Sequence, residues 1–233
     1  MRHIRNIVPL ATIIMFFAVS CSYQADFSLD EILAEAGGVT LQNHNETVVI
    51  NPPAETDTAL VFYPGGSVDY SAYIPLLVRC AKNGVKCFLV QQPYDLAIFN
   101  ISAAGKFPVD YPEIKKWYIG GHSLGGAMAS SYVSRHPSDF RGLVLLASYS
   151  TSDLSKTGVR VLSLYGSRDG VLKMDNYRKN IQNLPQDFEE HVIDGGNHGN
   201  FGCYGFQKGD NEASITAAQQ QTIAANYIME FCK

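Results

Sequence analysis

The sequence lacks long charge runs, internal repeats and metal-binding cysteine patterns, and each absence narrows what the protein can be. Only 17% of its 233 residues are charged, with 18 Lys and Arg against 22 Asp and Glu, and neither sign forms a run that could follow a phosphate backbone. The five cysteines form no CxxC pair and no Cys/His pattern at zinc spacing. Nucleic acid and metal are therefore not expected as partners. A hydrophobic fraction of 46% indicates one compact globular domain.

One apolar run stands out, from Ile7 to Val19, and it follows a basic start that carries Arg2 and Arg5. At 1.5 Å per residue the run would span about 20 Å, which is short of the roughly 30 Å hydrocarbon core of a bilayer. Pro9 and Thr12 weaken it further. The pattern predicts a secretory signal and disfavours a permanent transmembrane helix.

The run ends in Ala18-Val19-Ser20-Cys21, which resembles the lipobox of bacterial lipoproteins, in which the cysteine is acylated and becomes the first mature residue. Leu is usual where Ala18 stands; the alternatives are simple cleavage and a buried N-terminal helix. We expect a signal peptide over residues 1–20, a tether and lead-in over 21–45, and the folded domain over 46–233. The protein would then be exported and membrane-anchored through lipid on Cys21, on the periplasmic or cell-surface side.

If Cys21 is lipidated, four cysteines remain. Cys80 and Cys87 are close in sequence and could form a local disulfide, leaving Cys203 with Cys232. Four buried free thiols are an equally good interpretation, because free cysteine is among the most buried residue types.

The remaining chain alternates short β-branched or aromatic runs with helical patterns. The predicted strands are 47–50, 59–63, 87–91, 117–120, 143–147, 159–165 and 191–193, and the predicted helices are 70–82, 123–135, 173–183 and 215–231, with a short one at 28–36. Continuously apolar strands such as 143–147 suit a mostly parallel sheet covered by helices on both faces. Strand-helix alternation with short links predicts a doubly wound α/β fold in one domain.

Gly121-His122-Ser123-Leu124-Gly125 is a G-x-S-x-G match between a predicted strand and a predicted helix. At such a turn the glycines allow a sharp bend that lifts the serine hydroxyl above the sheet. The helix N-terminus adds unpaired N–H groups beside it. The pattern predicts Ser123 as a nucleophile; the alternative is a glycine-rich packing turn.

A serine nucleophile needs a base and a third group that fixes the tautomer of the base. His198 lies in a flexible loop after the last predicted strand, whereas His136 and His191 are poorly placed, so His198 is the predicted base. Asp169 follows the preceding strand and is the predicted orienting acid. Asp153, Asp175 and Asp194 are its rivals.

An oxyanion needs preorganised N–H donors, one of them from the residue after the nucleophile. That residue is Leu124. The second donor is expected from the loop Phe62-Tyr-Pro-Gly-Gly-Ser67, where Gly66 is our choice and Ser67 the near alternative.

These motifs make the chain resemble the α/β-hydrolase superfamily, in particular its small, lid-less bacterial branch of dienelactone-hydrolase and carboxylesterase type. The likeness covers nearly all of residues 45–233 and rests on 62–66, 120–126, 164–170 and 195–202. It implies a triad of Ser123, Asp169 and His198, hydrolysis through an acyl-enzyme, and no cofactor or metal. Pro64 is a departure, since many members have His in the oxyanion loop.

Only residues 148–158 separate two predicted strands where lipases and epoxide hydrolases insert a cap, so no cap domain is expected. The site should be open, with candidate substrate-binding residues Tyr94, Leu96, Phe99, Tyr149 and Phe201, although core packing is at least as good an interpretation for each aromatic. We expect a serine hydrolase that cleaves a small or extended carboxylic ester. A peptidase or thioesterase with the same triad, and a non-catalytic lipid-anchored binding module, are the alternatives.

Overall fold

The computed structural model describes residues 22–233, and the predicted signal peptide and Cys21 lie outside the described residues. The described chain folds around one eight-stranded sheet with the order β1-β2-β4-β3-β5-β6-β7-β8. β1, β2 and β4 pair antiparallel, and every pairing from β4 to β8 is parallel. The strands are β1 (Thr40–His44), β2 (Thr47–Asn51), β3 (Thr58–Tyr63), β4 (Lys86–Val90), β5 (Lys116–His122), β6 (Gly142–Leu146), β7 (Arg160–Gly166) and β8 (Glu189–Ile193).

Helices connect the parallel strands and cover the sheet. Those found among the described residues are α1 (Leu29–Ala34), α2 (Ile74–Lys82), α3 (Phe107–Asp110), α4 (Leu124–Val133), α5 (Met174–Asn180) and α6 (Ala217–Phe231). Short 3-10 turns fill Tyr70–Tyr73, Pro93–Asp95, Ala97–Phe99, Ile101–Lys106, Ile181–Asn183 and Gly199–Phe201.

The sheet is buried on both faces, because one apolar cluster lies on each side of it. Leu77 of α2 and Ile228 of α6 belong to the first cluster, and Ala129 and Val133 of α4 belong to the second. All five residues of β6 are buried, as expected of a strand between two helical layers. The predicted α/β-hydrolase fold, with a mostly parallel sheet and helices on both faces, is confirmed.

β1 was not predicted from the sequence, and its burial explains why. Its five residues are exposed or half-buried, so the strand has no apolar face that a period-two pattern could reveal. β1 exists because it pairs with β2 through a tight turn at Asn45, which adopts φ 51°. Asparagine tolerates this left-handed conformation better than most residues.

Ala147 to Val159, between β6 and β7, contains no helix, so no cap is inserted at this point of the described chain. No helix within residues 22–233 has the length and hydrophobicity needed to cross a bilayer.

The four cysteines of the described chain are free thiols, and three of them are buried. Burial raises the pKa of the Cys87 thiol well above its usual value, and the neighbouring Cys80 and Cys232 thiols act in the same direction. Cys203 lies elsewhere, where its sulfur accepts a hydrogen bond from Gln221 Nε2 at 3.2 Å. The structure therefore has the free-thiol arrangement, and Cys232 neighbours Cys80 and Cys87.

Residues 22–27, part of the predicted lead-in, are bonded to the loop that follows β3. The backbone N–H of Tyr23 donates to Ser67 O at 2.9 Å, and the N–H of Asp69 donates to Tyr23 O at 2.9 Å. Further along, the N–H of Asp26 donates to Cys203 O at 2.7 Å. The first described residues are thus attached to the body of the fold at the carboxyl end of the sheet.

Candidate active site

Ser123 lies at the turn between β5 and α4, where its backbone adopts φ 51° and ψ −119°. Few residues other than glycine adopt this conformation, and such strain clusters at functional sites. Two hydrogen bonds to the segment at the end of β6 stabilise this backbone conformation. The N–H of Ser123 donates to Leu146 O at 2.9 Å, and Ser148 Oγ donates to Ser123 O at 2.7 Å. The serine is therefore presented at the carboxyl end of the sheet.

The turn is so close to β3 that glycine is required at Gly125. A Cβ atom there would lie 2.2 Å from the carbonyl oxygens of Tyr63 and Pro64, which is far inside van der Waals contact. The second glycine of the motif thus lets α4 begin directly against the neighbouring strand. This close approach brings the N-terminus of α4 beside the loop that follows β3.

His198 and Asp169 form a buried hydrogen-bonded pair. His198 Nδ1 lies 2.9 Å from Asp169 Oδ2, and the two side chains are 1% and 2% exposed. The other carboxylate oxygen, Oδ1, accepts the backbone N–H groups of Val171 at 2.9 Å and Leu172 at 2.7 Å. Asp169 is therefore fixed in orientation, with Oδ2 left for the imidazole.

His198 Nε2 is buried and has no hydrogen-bond partner among the described residues. The bond to Ser123 Oγ that a triad would use is not formed in this structure. Catalytic hydrogen bonds are often long or poorly aligned before substrate binds and tighten only in its complex.

The other three candidate acids lie in other surroundings. Asp153 Oδ1 accepts the N–H and the hydroxyl of Ser155, and Asp194 accepts the hydroxyl of Ser167 at 3.1 Å. Asp175 lies in the first turn of α5. Of the four candidates, the structure brings Asp169 to His198.

Two buried side chains that the sequence did not single out hold the loops of Asp169 and His198 together. Asp210 accepts the N–H of Gly170 through Oδ1 and the N–H of Gly199 through Oδ2, each at 2.9 Å. Gln220 of α6 bonds both backbone groups of Asn197, accepting its N–H and donating to its carbonyl oxygen. Their partners are backbone groups brought close only by tertiary folding, so no motif in the sequence identifies them.

The loop after β3 leaves one amide free beside the start of α4. The N–H of Gly65 donates to Tyr73 Oη at 3.0 Å, and the N–H of Ser67 donates to Asp95 O at 2.9 Å. The N–H of Gly66, between them, has no partner among the described residues. A Cβ atom on Gly66 would lie 2.9 Å from Leu124 Cδ2, so Gly66 and Leu124 adjoin. The structure favours Gly66 over Ser67 as the available donor.

His122 and Tyr73 form a buried pair beneath this loop, and no motif in the sequence predicted it. Tyr73 Oη lies 2.8 Å from His122 Nδ1, and the His122 ring centroid lies 4.5 Å from that of His198. Tyr73 Oη thus bonds both the N–H of Gly65, which it accepts, and His122 Nδ1. The pair therefore links the glycine loop to the imidazole of His198.

Replacing Tyr73 with phenylalanine would leave the Gly65 N–H and His122 Nδ1 buried without a partner. We expect a loss of about 1–3 kcal/mol in the free energy of unfolding, the usual effect of leaving buried polar groups unpaired. Urea denaturation measures it. Tyr70→Phe is the matched control, because the Tyr70 hydroxyl makes no hydrogen bond to the described residues. Equal stability of the two variants would contradict the assigned bonds.

Burial lowers the pKa of His122 well below its usual value of 6.5, and the nearby His198 acts in the same direction. Between pH 6.5 and that lowered pKa, the unfolded chain binds a proton at His122 and the native protein does not. The free energy of unfolding therefore decreases as pH falls through this window, by up to about 1.4 kcal/mol per pH unit.

Urea denaturation at pH 7.5 and pH 5.5 measures this effect when the protein is compared with His122→Asn, in which Oδ1 can accept the Tyr73 hydroxyl without titrating. We expect the parent protein to lose more stability on acidification than the variant. An equal loss in both would show that His122 does not titrate differently in the folded and unfolded states.

The five candidate substrate-binding residues lie in different environments. Tyr94 and Phe99 are 85% and 59% exposed, and their ring centroids are 5.8 Å apart in an edge-on arrangement. Leu96 and Tyr149 are half-buried. Phe201 is fully buried and packs against His122 with centroids 5.7 Å apart, so for this residue the structure has the core-packing alternative.

Within residues 22–233, no group of three or more His, Cys, Asp or Glu side chains is arranged to hold a metal ion.

The fold and the site together define a hydrolase of the α/β-hydrolase class. The model of the alpha/beta hydrolase family matches residues 59–222, which is well over half of the chain, and the protein belongs to that family. No curated protein matches the sequence closely enough to count as a relative.

Solved structures of hydrolases share the fold. A CIB-like hydrolase from Thermoplasma acidophilum is 16% identical with a TM-score of 0.58, covering 83% of this chain and 100% of that one. Est1E from Butyrivibrio proteoclasticus is 13% identical with a TM-score of 0.59, covering 83% and 97%. The esterase domain of a Rhodothermus marinus protein is 11% identical with a TM-score of 0.58, covering 82% and 97%. At such identities the likeness is one of fold alone.

Proposed function

We propose that the protein is an exported serine hydrolase that cleaves a carboxylic ester through an acyl-enzyme on Ser123. The observation that carries the proposal is the buried Asp169–His198 pair, at the carboxyl end of the sheet that also presents Ser123 in a strained turn. Two of the similar structures are named as Est1E and as an esterase domain, which agrees with an ester substrate.

In the proposed reaction, Asp169 accepts the Nδ1–H of His198, so Nε2 carries the lone pair that takes the proton of Ser123 Oγ. Oγ bonds to the ester carbon, and the resulting oxyanion accepts the N–H groups of Gly66 and Leu124. His198 then protonates the leaving alcohol oxygen as the C–O bond breaks. Water then loses a proton to His198 and attacks the acyl-enzyme, and His198 returns that proton to Ser123 Oγ as the bond between Oγ and the acyl carbon breaks and the acid leaves.

The surroundings of the site favour a substrate that stays partly exposed to solvent when it is bound. No helix covers the site between β6 and β7 in the described chain, and Tyr94 and Phe99 stand largely exposed on the loop after β4. Leu96 Cδ2 would lie 3.5 Å from a Cβ on Gly66, which places this side chain next to the proposed oxyanion donor. We propose that Leu96, Tyr94 and Phe99 contact the apolar part of a small or extended ester, and that Tyr149 adds to this wall.

We also propose that the chain is exported by its first 20 residues and anchored by lipid on Cys21. The support is the sequence pattern of a basic start, a short apolar run and a lipobox-like end.

A serine-directed fluorophosphonate and a substrate panel test the proposed chemistry. We expect the probe to label Ser123, located by peptide mass mapping, and we expect short p-nitrophenyl esters to be turned over faster than matched thioesters and anilides. Labelling with faster amide or thioester turnover would reassign the substrate to the peptidase or thioesterase class. No labelling and no turnover would support a non-catalytic binding module.

A further inference from the structure

We propose that Tyr94, Ile98 and Phe99, here called the aromatic platform, form a membrane-contact surface that turns the mouth of the site toward the bilayer. The inference rests on the proposed lipid anchor and concerns the orientation of the anchored protein. Its occupant is the phospholipid surface in which the anchor is embedded.

The platform is exposed and apolar. Tyr94, Phe99 and Ile98 are 85%, 59% and 46% exposed, and they lie within six consecutive residues. Monomeric proteins seldom leave large apolar side chains grouped in this way unless they contact something. Tyrosine and other amphipathic rings are enriched at the headgroup level of membranes, where one end is apolar and the other wet.

The backbone holds the platform in an unusual conformation. Tyr94 and Asp95 both adopt left-handed angles, with φ 55° and 54°. The loop is fastened to the glycine loop of the site, since Asp95 O accepts the N–H of Ser67 at 2.9 Å. The platform and the proposed oxyanion donor Gly66 are thus neighbours on one rim.

The chain that leads to the proposed anchor arrives at this same rim. Ser22 Oγ donates a hydrogen bond to Asp95 Oδ2, one residue from Tyr94. The backbone N–H of Tyr23 donates to Ser67 O, and its carbonyl oxygen accepts the N–H of Asp69. The Tyr23 hydroxyl accepts the N–H of Lys208 at 3.0 Å. Cys21, the proposed lipidation site, immediately precedes Ser22 in the sequence.

A lipid on Cys21 would therefore be joined to the folded domain through a very short segment of chain. A long flexible tether would let the domain tumble, whereas residues 22 and 23 are held beside the platform. Lipid chains attached one residue earlier enter the bilayer next to Tyr94 and bring the aromatic platform to its surface. An amphiphilic ester could then pass from the membrane to Ser123 without crossing bulk water.

Tryptophan quenching in vesicles tests the orientation. The full chain, purified from membranes of a bacterial expression host, is reconstituted into phosphatidylcholine–phosphatidylglycerol vesicles with or without brominated acyl chains, as Tyr94→Trp and as Val109→Trp. Val109 is 78% exposed on α3, a few residues before β5 begins, and so belongs to the opposite end of the sheet from the site. Trp117 is buried and provides the common background.

We expect the brominated lipid to quench Tyr94→Trp several-fold more than Val109→Trp. We also expect Cys21→Ala to abolish association with the vesicles. Equal quenching at both positions would mean that the anchored domain tumbles, and preferential quenching at position 109 would mean that the mouth faces away. Absence of the parent chain from the membrane fraction would refute the anchor. None of these readouts depends on turnover, so failure of the proposed ester hydrolysis is detected separately.

Discussion

Ser123→Ala is expected to lower kcat for a short p-nitrophenyl ester by on the order of 10⁴- to 10⁶-fold, since removing the serine of a comparable triad has effects of this size. The loss is large because alanine offers no oxygen to bond the ester carbon, so the acyl-enzyme cannot form. The fold should tolerate the change, because the structural bonds of this residue run through its backbone N–H and carbonyl.

Steady-state kinetics on the purified variant, with circular dichroism as a check on folding, measures the effect. Ser131→Ala is the matched control, a serine two turns further along α4 and half-buried like Ser123. The control should retain parental kcat. Parental hydrolysis by Ser123→Ala would remove this residue from the mechanism and with it the proposed function.

Asp169→Asn is expected to lower kcat by about 10⁴-fold, the size of effect known for a triad whose orienting acid becomes an amide. The hydrogen bonds of Asp169 explain why. Oδ1 accepts two backbone N–H groups, so an asparagine keeps its carbonyl oxygen there and turns its NH₂ toward His198. His198 Nδ1 must then accept, which puts the ring proton on Nε2 and leaves no lone pair to receive the proton of Ser123.

Asp153→Asn is the control, because Asp153 caps its own turn through Ser155 and makes no hydrogen bond to His198. We expect KM for the ester to change little in Asp169→Asn while kcat falls. A decrease of less than about tenfold would be too small for the loss of a tautomer-fixing carboxylate and would point to another acid.

The sequence determined the parts of this protein that are encoded over short distances. Continuous apolar strands and amphipathic helices predicted the α/β fold, since local burial patterns reflect which face of each element is covered. The G-x-S-x-G pattern predicted the sharp turn at Ser123, because its glycines are needed where β5, β3 and α4 meet. Strand order favoured Asp169 and His198, since residues after parallel strands meet at one end of the sheet, but it left Asp153, Asp175 and Asp194 as rivals.

Only the tertiary structure decided which groups complete the site. Tyr73, His122, Asp210 and Gln220 bond to backbone or side chains far away in sequence, so no local pattern could reveal them. The same reason explains the choice of Gly66 over Ser67. Both are small residues in one loop, and only the bonds that occupy the Gly65 and Ser67 amides leave Gly66 available.

The N-terminal segment, residues 22–27, shows the difference between what the sequence predicts and what the tertiary structure decides. Its composition suggested a polar lead-in, and nothing in residues 22–27 indicates where they lie. The structure fastens them to the loop after β3, because unpaired backbone groups of Ser67 and Asp69 find partners in Tyr23. The sequence thus determined the fold and the chemistry to be expected at Ser123, and long-range hydrogen bonding decided how the rim of the site is built and what adjoins it.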